Sequence, residues 1–207
     1  NASNKLASVF KKNGISKGDR IAILLQQSPE VMITHFAAYK VGAVVVPLFT
    51  LFGPDALLYR LNDSGSKILI TDKFNLNKVL NIKLNLNYLK MIFCKNFDSD
   101  ATISLWKEIK KAKPLEKKLS ISKDDPAIII YTSGTTGDPK GVLHAHRFLL
   151  GHLPNIEVSH DGFPKKNDCG WTPADWAWIG GLMDLALPCL YYGVKLICYR
   201  TQKFDPK

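Results

Sequence analysis

The sequence predicts an α/β fold, a layer of parallel strands joined by crossover helices, on two observations. Short apolar runs rich in Val and Ile alternate with longer segments of helical period, the pattern that parallel strands and their covering helices leave in a sequence. The 207 residues are also 46% hydrophobic, enough to bury one substantial core, and nothing in the composition points to disorder, a collagen-like repeat or a disulfide scaffold.

Taken in order, residues 5–13 form the end of an amphipathic helix with Leu6, Val9 and Phe10 on one side; with Asn1 rather than Met in first place, the start reads as a cut. Strands are expected at 20–25, 43–46, 67–71, 90–93, 127–131 and 194–199. Between the first two, Ser28-Pro-Glu-Val31 offers an N-cap followed by Pro at the first helical position, and the helix should run to about Lys40 before Gly42 stops it. Pro54 opens a second short helix, closed by Asn62-Asp-Ser-Gly65. Residues 75–89, rich in Asn, Lys and Leu, read as a variable excursion, and 113–123 as a polar connector. The apolar tract 178–199 is about long enough to span a bilayer. However, Asp184, Pro188, Gly193 and Lys195 divide it into a buried helix, a turn and a strand, so no transmembrane segment is expected. The chain then stops at Phe204-Asp-Pro-Lys207 without a closing element.

The formal charge of +10 raises the question of a polyanionic partner. Its densest stretch, 107–118, carries no interleaved aromatic platform and reads as a solvated helix end and linker, so no nucleic-acid role is expected. Cys94, Cys169, Cys189 and Cys198 are scattered without a Cys-x-x-Cys pair, which argues against a disulfide framework and a structural zinc site and fits a cytoplasmic protein. His144 and His146 would share one face of a strand, but no carboxylate or cysteine stands at ligand spacing nearby, so no metal site is expected there. His152 and His160 read as surface or cap residues.

The chemistry is concentrated where the buried run Ala127-Ile-Ile-Ile-Tyr131 delivers the chain into Thr132-Ser-Gly-Thr-Thr-Gly-Asp-Pro-Lys140-Gly141. Glycines let successive backbone N–H groups turn inward as an anion nest, hydroxyls donate to phosphate oxygens, and a lysine places a point charge beside them. The spacing is not that of the standard P-loop, because Pro139 precedes the lysine and Gly141 follows it. A Ser/Thr/Gly-rich surface turn is the ordinary meaning of such composition, but here ten residues stand in a restrictive order directly after a buried strand.

Tyr131-Thr-Ser-Gly-Thr-Thr-Gly-Asp-Pro-Lys-Gly-Val142 closely resembles the signature of the adenylate-forming superfamily, which includes acyl-CoA synthetases, luciferases and the adenylation domains of peptide synthetases. Phe52-Gly-Pro-Asp-Ala-Leu-Leu-Tyr-Arg-Leu-Asn-Asp-Ser64 is similar to the acetyl-CoA and medium-chain acyl-CoA synthetase branch. So is Asp168-Cys-Gly-Trp-Thr-Pro-Ala-Asp-Trp-Ala-Trp178 followed by Ile-Gly-Gly181. Phe204-Asp-Pro206 resembles the medium-chain enzymes. The likeness covers nearly the whole chain and is weakest over 75–118.

The resemblance implies part of a large N-terminal domain, with 1–123 a first sub-region and 124–207 the phosphate loop and the start of an acyl pocket; the C-terminal domain would be absent. It implies ATP, Mg2+ and CoA as the small molecules used. The phosphate-gripping residues would be Thr132, Ser133, Gly134, Thr135, Thr136, Gly137 and Lys140. Trp178, Ile179 and Gly180 would line the acyl pocket, although Trp171, Trp176 and Trp178 read equally well as core aromatics. Gly180 stands where acetate-specific members usually carry threonine, which implies room for propionate or a longer acid, and Ala177 stands where the family generally has glycine. The expected reaction activates a carboxylic acid with ATP. Motifs for adenine, ribose and the adenylation lysine are missing from the sequence, so this stretch alone is expected to be inactive. An adenylation domain serving a carrier protein and a non-catalytic ATP-binding relative are the competing readings.

Overall fold

The computed structural model describes residues 1–116, 119–133 and 137–199. Seven strands form the main sheet in the order β5-β4-β3-β1-β2-β6-β7. They are β1 (Arg20–Leu24), β2 (Val44–Pro47), β3 (Ser66–Thr71), β4 (Met91–Cys94), β5 (Ile103–Ser104), β6 (Pro126–Thr132) and β7 (Lys140–Ala145). The first six run parallel; β7 returns antiparallel to β6. A separate parallel pair joins β8 (Cys169–Gly170) to β9 (Lys195–Leu196).

Strand side chains alternate between two apolar layers, the consequence of a period-2 backbone. Ile21, Ile23, Val45, Ile68, Ile70, Phe93, Ile128 and Ile130 face a layer that includes Leu6 and Phe10 of α1 (Ala2–Lys12), Val31 and Ala38 of α2 (Pro29–Lys40) and Ile109 of α5 (Leu105–Lys111). Ala22, Leu24, Val46, Leu69, Ile92 and Tyr131 face the opposite layer, with Leu57 and Leu61 of α3 (Pro54–Asp63) and Leu76 and Val79 of α4 (Lys73–Leu80). Cover on both faces explains why these strands read as almost unbroken Val/Ile/Leu runs.

The expected elements appear with ends shifted by a residue or so, and the exceptions are instructive. The stretch 75–89 is no bare excursion: Asp72 accepts a hydrogen bond from the Asn75 amide at 2.9 Å and caps α4, which a short 3-10 turn (Lys83–Asn85) follows. The strand expected at 194–199 is reduced to β9. The tract 178–199 does divide as expected, into α7 (Ile179–Gly181), a π turn (Leu182–Ala186) and α8 (Leu187–Tyr192), with Gly193 ending the helix before β9. Its apolar residues Leu182, Met183, Ala186 and Leu187 join the first core layer. Among the described residues no helix is long and apolar enough to cross a membrane. The remaining helix, α6 (Phe148–Ser159), follows β7.

Candidate functional site

In a sheet of parallel strands, ligand sites form beyond the carboxyl ends, where loops leave a packed scaffold. Here that edge carries three segments: Gln27 after β1, Phe49 and Phe52 after β2, and the turn after β6. The β6–β7 hairpin sets Thr132 directly opposite Lys140, so a hydroxyl and an ammonium separated by seven residues of loop stand side by side at its mouth. Thr132, Ser133, Gly137 and Lys140 are all exposed there, and Gly137 has φ +98, a value that favours glycine. Gly134, Thr135 and Thr136 lie outside the described residues.

The base of this hairpin is built around Tyr131. Its side chain faces α3, where the hydroxyl donates to Asp63 Oδ2 at 2.5 Å and lies 3.3 Å from the Arg60 carbonyl. Burial, then the Asp63 carboxylate, push the phenol above its ordinary range, so it stays a donor. Gly141, its partner across the hairpin, is required by packing: a Cβ there would sit 2.8 Å from Ile129 Cγ2 and 3.2 Å from Tyr131 Cζ. The buried Arg60 guanidinium lies 4.1 Å from the Phe52 ring centroid and 5.5 Å from that of Tyr131, and its Nη1 donates to the Ala56 carbonyl at 2.9 Å. Arg60 therefore packs against both the hairpin base and the loop after β2.

That loop leads to the second cluster. Trp178 lies 5.6 Å from Phe49 and 6.1 Å from Phe52, and Phe49 and Phe52 meet edge to face at 5.7 Å. Trp178 is thus an edge aromatic, 38% exposed, whereas Trp176, 2% exposed, belongs to the core. The residues before it are tied to β1: Gln27 Nε2 donates to the carbonyls of Ala174 at 2.5 Å and Thr172 at 3.1 Å. Asp175 Oδ1 accepts from the Ala177 amide at 2.9 Å.

The two glycines that follow differ in kind. A Cβ on Gly181 would come within 2.7 Å of the Ala174 and Asp175 carbonyl oxygens, so the helix start can dock only without a side chain. At Gly180, which is exposed, a Cβ would meet only Asp184 Oδ2, at 3.9 Å, so its missing side chain leaves usable room. Ile179 is half-buried and packs against the main core.

The histidines have other neighbours. His144 stacks on Phe148 at 3.9 Å, and His146 meets Tyr39 edge to face at 5.1 Å. Burial pulls both imidazoles below their ordinary range. His160 caps the C-terminus of α6, as expected, while His152 Nδ1 pairs with Asp184 Oδ1 at 3.0 Å. Sequence reasoning had no signal for that pair, nor for Asp63 and Arg60 beneath the hairpin. Phe52 and Arg60 fall inside the Phe52–Ser64 motif, whereas Phe49 lies outside every motif of the sequence.

The arrangement can offer an anion two hydroxyls, backbone N–H groups and one ammonium, next to an aromatic wall with open space beside Gly180. A family description, AMP-binding enzyme, matches residues 1–207. The acetyl-coenzyme A synthetase of Bacillus subtilis (strain 168) is 32% identical over 183 residues, covering 86% of this chain and 31% of that protein. The 3-hydroxypropionyl-coenzyme A synthetase of Sulfurisphaera tokodaii is 29% identical over 217 residues, covering 96% of this chain and 33% of that protein. The crystal structure of Brucella canis acyl-CoA synthetase superposes with a TM-score of 0.84 at 27% identity, over 98% of this chain and 36% of that one. The chain spans about a third of the length of the curated relatives it matches. With the family description matched from end to end, the chain belongs to the AMP-binding enzyme family.

Proposed function

We propose that this chain carries the phosphate grip and part of the acyl wall of an enzyme that activates a short- to medium-chain carboxylic acid with ATP. The carboxylate attacks the α-phosphorus, pyrophosphate leaves, and the thiol of CoA then displaces AMP from the acyl-adenylate. The observation that carries this reading is the β6–β7 hairpin, with Thr132 opposite Lys140 at the carboxyl edge of the sheet. The names of the relatives, acetyl- and 3-hydroxypropionyl-coenzyme A synthetase, support small acids.

In this reading Thr132, Ser133, Gly134, Thr135, Thr136 and Gly137 cradle the departing phosphates, and Lys140 neutralises the charge that grows on them; preorganised donors of this kind contribute about 3 kcal/mol each. The described part of the loop supplies the hydroxyls of Thr132 and Ser133, the Lys140 ammonium and a single carboxylate, Asp138, too few oxygen ligands to cage a Mg2+ ion alone, so it fits one that arrives held largely by the phosphate oxygens. Such an ion would supply further charge neutralisation. Trp178, Ile179 and Gly180 hold the acyl group, and the open space at Gly180 supports an acid larger than acetate. Free thiols at all four cysteines suit a cytoplasmic enzyme.

The test is acid-dependent exchange of labelled pyrophosphate into ATP by the protein from the full reading frame, with acids from acetate to octanoate and benzoate. Exchange with one chain-length class is expected. No exchange with any acid, in folded protein that still binds ATP, would replace this reading by that of a non-catalytic nucleotide binder; exchange without CoA acylation would point to a carrier-protein acceptor.

A further inference from the structure

We infer that the acyl pocket is polar at its far wall and selects an acid whose chain carries a hydrogen-bond donor, a hydroxy- or amino-substituted carboxylic acid, with Asp184 as the residue that reads it. The inference rests on the acyl-pocket reading of Trp178, Ile179 and Gly180.

Residues four apart in a helical segment share a face, and a side chain leans back over the turn before it. Asp184 therefore leans towards Gly180, and its Oδ2 lies 3.9 Å from where a Cβ on Gly180 would sit. The other oxygen is already committed: Oδ1 is 3.0 Å from His152 Nδ1. His152 is itself held from outside, its ring meeting Phe148 edge to face at 4.5 Å while Phe148 stacks on His144 of β7. The carboxylate is thus aimed by α6, and among the described residues Oδ2 has no hydrogen-bond partner.

An ionised oxygen facing an acyl site is a discriminator. Closing the site over a plain alkyl chain would strip water from Oδ2 and return nothing, a cost that buried charge cannot escape without a partner. A hydroxyl or ammonium on the chain restores the lost hydrogen bond, whereas a second carboxylate on the acid is repelled. The glycine at 180 leaves room for the chain to reach this oxygen, and a threonine there would fill the space between them. Discrimination by a hydrogen-bonding wall exceeds what one methylene in an apolar pocket can give.

The experiment measures kcat/KM for pyrophosphate exchange, in the full-length enzyme, with butyrate, 4-hydroxybutyrate, 4-aminobutyrate and succinate, and with the matching three-carbon acids. The hydroxy or amino acid should exceed the plain acid of the same length by about tenfold or more, with the diacid poorest. Asp184→Leu should invert that order, and Asp184→Asn should keep the hydroxy acid ahead while losing the amino acid. A native enzyme that prefers plain acids, or a ratio that Asp184→Leu leaves unchanged, overturns the inference and leaves acid activation standing. If Asp184→Leu does not fold, the ratio in Asp184→Asn decides. No exchange with any acid removes the inference together with the reading it rests on.

Discussion

The strands β1 to β4 and the β6–β7 hairpin belong to one sheet but are held in it differently. In the first group, β1 registers with β2 from Arg20↔Val44 to Ile23↔Pro47 and with β3 from Ile21↔Ile68 to Leu24↔Thr71. The hairpin meets that ladder at a single registered pair, Val45↔Ile128. Its inward residues Ile128 and Ile130 are buried, but its mouth is located by side chains, chiefly Tyr131 on Asp63. Continuous pairing makes a scaffold that tolerates little change. A hairpin fixed by burial at its root and by one polar anchor can carry a loop whose sequence answers to a ligand instead.

Five substitutions, one of them the control for a titration, break or sharpen that contrast. The largest effect is expected from Lys140→Ala at the exposed mouth, where pyrophosphate exchange should fall about 10²–10³-fold. Thermal unfolding of the same variant should barely move, because the ammonium leaves no core contact; unchanged exchange would sink the phosphate role.

Tyr131→Phe tests the anchor. Losing a hydrogen bond to a charged acceptor should cost about 1.5–3 kcal/mol in urea unfolding, and if the ladder alone located the hairpin the midpoint would not shift. Gly181→Ala should cost about 1–3 kcal/mol, since the new methyl meets two carbonyl oxygens within 2.7 Å, and a loss well below that would mean the approach can relax.

The scaffold side has its own signature in His35 of α2. It is fully buried, its Nδ1 3.0 Å from the Tyr39 hydroxyl, and burial pulls its pKa down to about 3 from 6.5. Between those values the unfolded chain takes up a proton that the folded one refuses, so stability is complete above about pH 6.5 and falls on acidification. One proton sets the slope at about 1.4 kcal/mol per pH unit at most. Urea midpoints at pH 7.5 and 5.5 should show the fall, and His35→Leu should reduce it. The smallest effect belongs to Gly180→Ala, whose Cβ has room: stability should stay within about 0.5 kcal/mol while acid preference shifts towards shorter chains.

Much of the scaffold was legible because its signals are local. Pro29 and Pro54 open helices where the sequence says they should, and the Val/Ile runs of the main sheet become strands within a residue or so. The position of the candidate loop, directly after the buried strand β6, was legible for the same reason, since its motif is contiguous. What escaped was long-range. The pairing of Tyr131 with Asp63 joins residues 68 apart, and Gln27 reaches 147 residues to Ala174. The reversal of β7 against β6 escaped as well, since an apolar run does not declare its direction. Asp72, by contrast, stands three residues before the Asn75 amide it caps, so α4 was within reach of a local reading.

The position of β7 at the end of the described sheet has a consequence for handling the protein. Its residues Val142 and Leu143 are 41% and 55% exposed, and an outermost strand with apolar side chains is a template on which other chains can add. The one permanent charge in Lys-Gly-Val-Leu-His-Ala is Lys140. The residue proposed to meet the nucleotide is therefore also the gatekeeper of an adhesive border, and its alanine variant should self-associate more readily as concentration rises. Light scattering at two concentrations, beside the activity assay, separates a lost ligand contact from lost solubility.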